Sequence, residues 1–352
     1  MSILKSKTYL NDLRNVVKNT GFLIEFRHKS VFITGGTGLI GSGIIDLLLM
    51  ANSIKKLNIK VLVATRDISK AKNRFDDFPD RGALDFISYV KYDATKNNHF
   101  DFQADYIIHA ASNAHPKAFV ENPVDTMVSN IDGLKELLDY AKDNNVINTL
   151  YVSSSEIYGQ KKKSEPLRED DYGYLEILNP RNAYASSKRA AETMCVSYYK
   201  QYGVRSCIVR PGHIYGPTAT ENDSRIGSSF AYCVVKGNDI VLKSEGKQLR
   251  SYCYVLDCAT AILHILIKGK SATAYNISNP NSIISIRELA QLYADEGGVN
   301  LKFDLPTESE KSAFNPMDNS SLNSTRLERL GWRGLFDAKV GISHTISALK
   351  GK

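Results

Sequence analysis

Residues 30–36 read SVFITGG, an apolar strand that stops on glycines, and residues 39–51 read LIGSGIIDLLLMA, an apolar stretch of helical length. Between them run Thr34-Gly35-Gly36-Thr37-Gly38-Leu39-Ile40-Gly41, with glycines at 35, 38 and 41. Glycine lets a backbone turn this tightly, approach a pyrophosphate and pack a helix closely on a strand. The helix start adds unpaired N–H groups and the positive end of a dipole. A strand, glycine turn and helix in this order predict a phosphate-binding turn, with Gly35, Thr37, Gly38, Leu39, Ile40 and Gly41 against the phosphates. The spacing departs from the two-glycine opening of the common dinucleotide fingerprint, so the strand and helix on either side carry the reading.

The rest of the chain repeats the pattern. Strands are expected at residues 60–66, 86–94, 105–112, 149–156 and 206–212, with helices at 122–145 and from about 183 to 202. Such alternation predicts an α/β protein with a parallel sheet covered by helices on both faces, joined by right-handed crossovers. A chain of 352 residues exceeds what one core usually holds, so a second lobe is expected. Its organisation reads as a helical extension at 1–29, a coenzyme-binding domain at 30–212, and a smaller lobe at 213–352 that holds substrate and returns some elements to the first domain. Leu10, Leu13, Val16 and Val17 share one helical face, which predicts that the extension packs on the main body.

Composition closes off other classes. With 43% hydrophobic and 24% charged residues the chain is an ordinary globular one. No apolar run reaches the roughly 18 residues of a membrane span, and the first residues lack a signal peptide's apolar core, so a cytoplasmic location is expected. Cys195, Cys207, Cys233, Cys253 and Cys258 are odd in number and lack metal-ligand spacing; they read as reduced core residues, with no metal site. The net charge of +7 gathers densely only at Lys161-Lys162-Lys163, without aromatic interleaving. Attraction of anionic nucleotides accounts for it as well as nucleic acid would, and no nucleic-acid or membrane partner is expected.

Tyr184 and Lys188 lie four apart on an expected helix and so share a face. An ammonium beside a phenol favours the phenolate, which would bring its pKa down from about 10 toward a useful acid/base range. The run Ser153-Ser154-Ser155-Glu156 ends a strand, where ligands of parallel sheets bind. There the Ser154 hydroxyl can bond a reacting substrate oxygen and Glu156 can carry a second proton; strand-end capping is the other reading of the serines. At the end of the second strand, Ala64-Thr65-Arg66 offers no carboxylate for a ribose 2′-OH before Asp67. Arg66 can pair with a 2′-phosphate or simply face solvent, which leans the coenzyme, NAD or NADP, slightly to NADP. Asp93 can accept from the adenine amino group or cap a turn.

The glycine turn, the HAAS strand end, SSSEIYG and the Tyr184/Lys188 pair, in this order, resemble the extended short-chain dehydrogenase/reductases of the NAD-dependent epimerase/dehydratase family. Asn179-Pro180-Arg181 before Tyr184, then KRAAETMC (188–195), YYKQYGV (198–204), NDSRIGSSF (222–230) and QLRSYCYVLD (248–257) look most like UDP-glucuronate decarboxylases. The resemblance implies a Rossmann-type doubly wound sheet with a smaller C-terminal α/β lobe. It also implies a nucleotide-diphosphate sugar as substrate and Ser154, Tyr184 and Lys188 as catalytic group, with Glu156 on the motif's glutamate. It adds Ala94, Ala110, Ala111, Ser112, Asn130 and His213 to the coenzyme contacts, together with Tyr184 and Lys188. Ser112, Ser155, Glu156, Arg181, Arg225 and Arg250 fall at substrate positions, surface salt bridges being the alternative for the last two.

In such enzymes Tyr184 would take the sugar 4-OH proton while hydride leaves C4, and the resulting 4-ketone lets the C6 carboxylate depart as carbon dioxide. Three positions depart from the resemblance: His213 replaces the usual asparagine, Phe119 a usual tyrosine, and the NAD-selecting aspartate is missing. Ser155 stands where 4,6-dehydratases carry an aspartate. An NADPH-dependent reductase of a keto sugar, a 4-epimerase or modified dehydratase, and a binding protein that uses the fold without catalysis therefore stay open beside decarboxylation. The resemblance further implies a homodimer that pairs the helices at 122–145 and 183–202 with those of a twofold mate.

Overall fold

The structure, a computed structural model, describes residues 2–112, 114, 120–161, 165–304 and 318–351. Lys162, Lys163 and Phe119 lie outside these residues. The strands are β1 Ser30–Thr34, β2 Lys60–Thr65, β3 Ile87–Lys91, β4 Tyr106–His109, β5 Asn148–Val152, β6 Ser206–Pro211, β7 His213–Tyr215, β8 Ile240–Leu242, β9 Leu249–Tyr254, β10 Thr273–Ile277, β11 Ile283–Ser285 and β12 Leu301–Phe303. Seven of them form one sheet in the order β10-β6-β5-β4-β1-β2-β3, and each neighbouring pair is parallel. The order reverses between β1 and β4, the switch point of a doubly wound fold, and ligands of such sheets bind in the crevice outside the strand ends there.

Burial explains the order. In β1, β4, β5 and β6 every residue is buried, as expected of strands covered on both faces, whereas the edge strand β3 is half exposed along its length. Successive side chains of a strand point to opposite faces. Val31 and Ile33 of β1 therefore pack with Ile44, Leu47 and Leu48 of helix Leu39–Lys55. Phe32 packs on the other face with Leu134, Leu137 and Leu138 of helix Pro123–Asp143. Helix Ala183–Tyr202 lies beside Pro123–Asp143 and shares that face.

The first residues form helix Lys7–Asn19, which buries Tyr9, Leu13, Val16 and Val17 against helix Leu39–Lys55. Two buried carboxylates fasten it. Asp46 accepts from the Tyr9 hydroxyl at 2.8 Å and from Arg74 at 2.5 Å, while Asp12 accepts from the Tyr254 hydroxyl at 2.9 Å and pairs with His344 at 2.9 Å. After β6 the chain builds a three-stranded sheet, β11-β9-β7, and the pair β12-β8. Helix Val255–Lys268 and β10 rejoin the large sheet, β10 pairing with β6. The sequence left β10 unread: its five residues, TAYNI, alternate weakly and sit on an edge. No helix among the described residues is long and apolar enough to cross a membrane.

Candidate active site

The glycine turn lies at the carboxyl end of β1, facing the switch-point crevice. Gly35 has a φ of +68°, and a side chain there would strike the Ala110 carbonyl at 2.7 Å, so only glycine lets the turn approach the end of β4. A side chain at Gly41 would run into the Gly35 carbonyl. Helix Leu39–Lys55 begins after Gly38 without a side-chain cap. Its first-turn N–H groups at Leu39, Ile40 and Gly41 therefore face the crevice, and with Thr37 beside them they fit a coenzyme pyrophosphate. Thr34 anchors the turn from below. Its hydroxyl oxygen accepts from the backbone N–H groups of Ala110 and Ala111 at 3.2 and 3.1 Å and lies 2.7 Å from His109 Nδ1.

A second anchor runs from the end of β4 to the helix that carries Tyr184. Ser112 donates to Asn130 Oδ1 at 2.9 Å, Asn130 donates to the Ser187 hydroxyl at 3.0 Å, and Ser187 donates to the Tyr184 carbonyl at 3.0 Å. Ala110, Ala111, Ser112 and Asn130 are thus drawn to one rim of the crevice.

Tyr184 and Lys188 are both buried, on one face of helix Ala183–Tyr202, at the carboxyl end of β5. Ser154 hydrogen-bonds the Tyr184 side chain and also accepts from the Glu156 N–H at 3.2 Å, so it caps the strand end and contacts the phenol at once. The expected lowering of the phenol is not what the protein alone provides. Burial pushes Tyr184 up to about 12 against the opposing pull of Ser154, and it pushes Lys188 down to about 7. The Lys188 ammonium donates to the Val152 carbonyl at 2.7 Å and lies 4.6 Å from the Tyr151 ring centre and 5.6 Å from that of Tyr184. Helical spacing put the two groups on one face, and desolvation decides their pKa values.

A cavity of about 270 Å³ is lined by Ser155, Glu156, Arg181, His213 and Arg250, with Tyr174 and Ser320 on its walls; Glu156, on its lining, acts electrostatically on Tyr184. Burial raises the Glu156 carboxyl, and the arginines at 181 and 250 pull it back. His213 is pushed down to about 4 by burial and by Arg250 and Arg225, so its imidazole is neutral at ordinary pH. It lines this cavity together with Arg250 and Glu156. Arg225 makes a two-point pair with Asp223, its neighbour in the chain, while its charge reaches both Tyr184 and His213.

The opposite end of the crevice is more open. Arg66 is exposed at the end of β2, and its carbonyl accepts from Lys91. Asp67 caps the next helix by accepting from the Lys70 N–H at 2.9 Å. Asp93 accepts from the Thr95 N–H and hydroxyl at 3.1 and 2.8 Å, the turn-capping geometry, and its carboxyl is held low although burial opposes this. Ala94 follows at the same rim.

The sequence profile of the NAD dependent epimerase/dehydratase family matches residues 31–278. The chain belongs to this family. Among its relatives, the UDP-glucuronic acid decarboxylase 1 of Danio rerio is 30% identical over 92% of this chain and 73% of its own length. The UDP-glucuronic acid decarboxylase 6 of Arabidopsis thaliana is 28% identical over 89% and 86%. In fold the chain is similar to a Thermotoga maritima UDP-glucose 4-epimerase, with a TM-score of 0.74 at 20% identity over 91% of this chain and 98% of that one. It is similar also to a dTDP-glucose 4,6-dehydratase of Streptomyces venezuelae, with a TM-score of 0.74 at 23% identity over 91% and 96%.

Like the family it belongs to, the chain is an NAD(P)-dependent enzyme. Under its epimerase/dehydratase motifs lies a buried layer that sequence reading missed. Arg210, 1% exposed, holds Glu192 through two nitrogens at 3.0 and 2.6 Å and donates to the Tyr158 hydroxyl and the Glu169 carbonyl. Ser153 donates to the same Glu192 at 2.5 Å. This pair locks β5, β6 and helix Ala183–Tyr202 together one turn from Lys188. Arg210 sits at an inward position of a strand covered on both faces, and Glu192 is four residues after Lys188; only the fold brings them together.

Proposed function

We propose that the enzyme acts on a nucleotide-diphosphate sugar by transient oxidation at C4, and that decarboxylation of a UDP-uronic acid is its activity. The observation that carries this reading is the Ser154, Tyr184 and Lys188 cluster beside the glycine turn, opening onto a cavity where Glu156 lies between Arg181 and Arg250. A bound nicotinamide would supply reversible hydride transfer at C4.

The residues of this chain do the rest. Tyr184 takes the 4-OH proton, with Ser154 holding the same oxygen and the Lys188 ammonium stabilising the phenolate. Arg181 and Arg250 place and neutralise an anionic group such as a C6 carboxylate. Once C4 is a ketone, that carboxylate is β to a carbonyl and leaves as carbon dioxide. Glu156, raised by burial, is poised to hold the proton that the sugar takes up in its place. Residues 30–212 form the coenzyme half of this arrangement, and much of 213–352 closes over the sugar nucleotide. Exposed apolar residues on the two adjoining helices, Val124 and Met127 on one and Val196 and Tyr199 on the other, support a homodimer.

A second reading is favoured by the exposed Arg66 and by Asp67 being spent on a helix cap: NADPH-dependent reduction of a nucleotide-linked keto sugar. One experiment separates the two. Purified enzyme is incubated with UDP-, CDP-, GDP- and dTDP-sugars and followed by mass spectrometry and nicotinamide absorbance. Loss of carbon dioxide from a UDP-uronic acid without net coenzyme consumption is the expected result. Stoichiometric loss of NADPH with a gain of two hydrogens selects the reductase, and no mass change with an altered sugar selects an epimerase.

A further inference from the structure

We propose that Tyr151 and His109 are positioning residues: a buried stack of two rings that seats the Lys188 ammonium and ties it to the glycine turn. The inference rests on the acid/base role given above to Tyr184 and Lys188.

The stack can be followed atom by atom. Lys188 makes one hydrogen bond among the described residues, to Val152, and otherwise lies against the face of Tyr151, 4.6 Å from the ring centre. Tyr151 is fully buried, and its hydroxyl has no hydrogen-bond partner among the described residues, so the residue serves through its ring. Its ring lies nearly parallel to that of His109, at 25° and 5.8 Å between centres. His109 Nδ1 lies 2.7 Å from the Thr34 hydroxyl. That hydroxyl already accepts from two backbone N–H groups, so its one proton goes to Nδ1 and the imidazole carries its own proton on Nε2. Thr34 is the residue before Gly35. The column thus runs from the lysine, through two rings, to the first residue of the phosphate-binding turn.

Its chemistry suits the task. A buried ammonium needs stabilisation that does not bind its protons away from the reaction, and the face of an aromatic ring provides it. Among the described residues the titratable groups around Lys188 are Tyr184, Glu192 and Cys195 on its own helix, Tyr151 on β5 and His109 on β4. Glu192 is committed to Arg210 and Ser153. Burial and the neighbouring ammonium hold His109 down to about 3, so it stays neutral across the working range and adds no charge that would expel the lysine proton.

The test is the pH profile of kcat, measured from about pH 6 to 10, for wild type, Tyr151→Phe and Tyr151→Leu, with Tyr184→Phe beside them. Turnover needs the ammonium, so activity falls as pH rises through the Lys188 pKa. Tyr151→Phe keeps the ring and its alkaline limb should coincide with wild type. Tyr151→Leu removes the π face, and its limb should move down by roughly one pH unit. If Tyr151→Leu does not fold, Tyr151→Met keeps the bulk without the π face and should show the same shift. A Leu or Met variant with the wild-type limb, while Tyr184→Phe is inactive, overturns the inference and leaves the proposed function standing. Turnover by Tyr184→Phe overturns both. His109→Phe keeps a ring but takes the acceptor from Thr34, so coenzyme should bind several-fold more weakly with the limb unmoved; unchanged affinity would cut the link to the glycine turn.

Discussion

The two ends of the coenzyme crevice use the same residue types in opposite settings. At the end of β5, Tyr184, Lys188, Glu192 and Arg210 are each less than 10% exposed. At the ends of β2 and β3, Arg66 is exposed and Asp93 is half-buried in its turn. Coulomb energy scales inversely with the effective dielectric, so a charge at the buried end is coupled strongly to its neighbours, while one at the open end is screened by water. On the proposed function, the buried end therefore carries the chemistry and the structural penalty together. The open end can change its partner at little cost to the fold, so on the proposed reading of Arg66 coenzyme preference would be adjusted there.

The largest effect should come from Tyr184→Phe. Removing the phenolic proton carrier should lower kcat by about 10²- to 10⁴-fold, while coenzyme affinity, read by fluorescence titration, stays within about twofold. Retained turnover would take Tyr184 out of the reaction and erase the contrast at its source.

Glu192→Ala leaves the Arg210 guanidinium buried without its carboxylate. Loss of one partner of such a pair costs about 3–5 kcal/mol, measurable as a lower urea midpoint at unchanged slope. A loss below about 1 kcal/mol would mean that the Tyr158 hydroxyl and the Glu169 carbonyl suffice for Arg210, and that burial does not raise the stakes at this end.

Lys188 gives a smaller signal with a definite sign. Its folded pKa of about 7 lies below the ordinary lysine value of 10.5, so between these two the unfolded chain binds more protons than the folded one. Stability rises with pH wherever that holds. For the protein without coenzyme, this group should therefore add stability from about pH 7 to 10 and contribute no slope below pH 7. Thermal melts of Lys188→Met should lack that rise. Equal slopes in the two proteins would place the lysine in water.

How much of this was legible beforehand divides along the same line. The glycine turn, six strands of the large sheet and both long helices follow from local patterns: apolar runs of strand length, glycines at a strand end, helical spacing. Those signals lie within a few residues of each other. The buried layer does not. Thr34 meets His109 across two strands, Tyr151 meets Lys188 between a strand and a helix, and Arg210 meets Glu192 the same way, so each pairing exists only after the sheet order is known. Spacing placed Tyr184 and Lys188 on one face, yet the ammonium's nearest acceptor, the Val152 carbonyl, belongs to β5. For Asp93 the sequence left adenine contact and turn capping open, and the Thr95 hydrogen bonds supply the cap.

The smallest effect belongs to the open end. Arg66 is exposed at the end of β2, and Asp67 beside it is turned to the Lys70 N–H. A guanidinium there gains a charge-assisted contact only if a 2′-phosphate is present. Because the site is exposed, that contact is worth about 1 kcal/mol, or roughly fivefold in affinity. Arg66→Ala should therefore weaken NADP about fivefold, leave NAD nearly unchanged, and lose even that difference in high salt. An equal loss for both coenzymes would show that Arg66 does not distinguish them. A loss of NADP binding much beyond tenfold would mean that Arg66 closes over the phosphate and is buried with it, so that the open end takes on the energetics of the buried one when coenzyme binds.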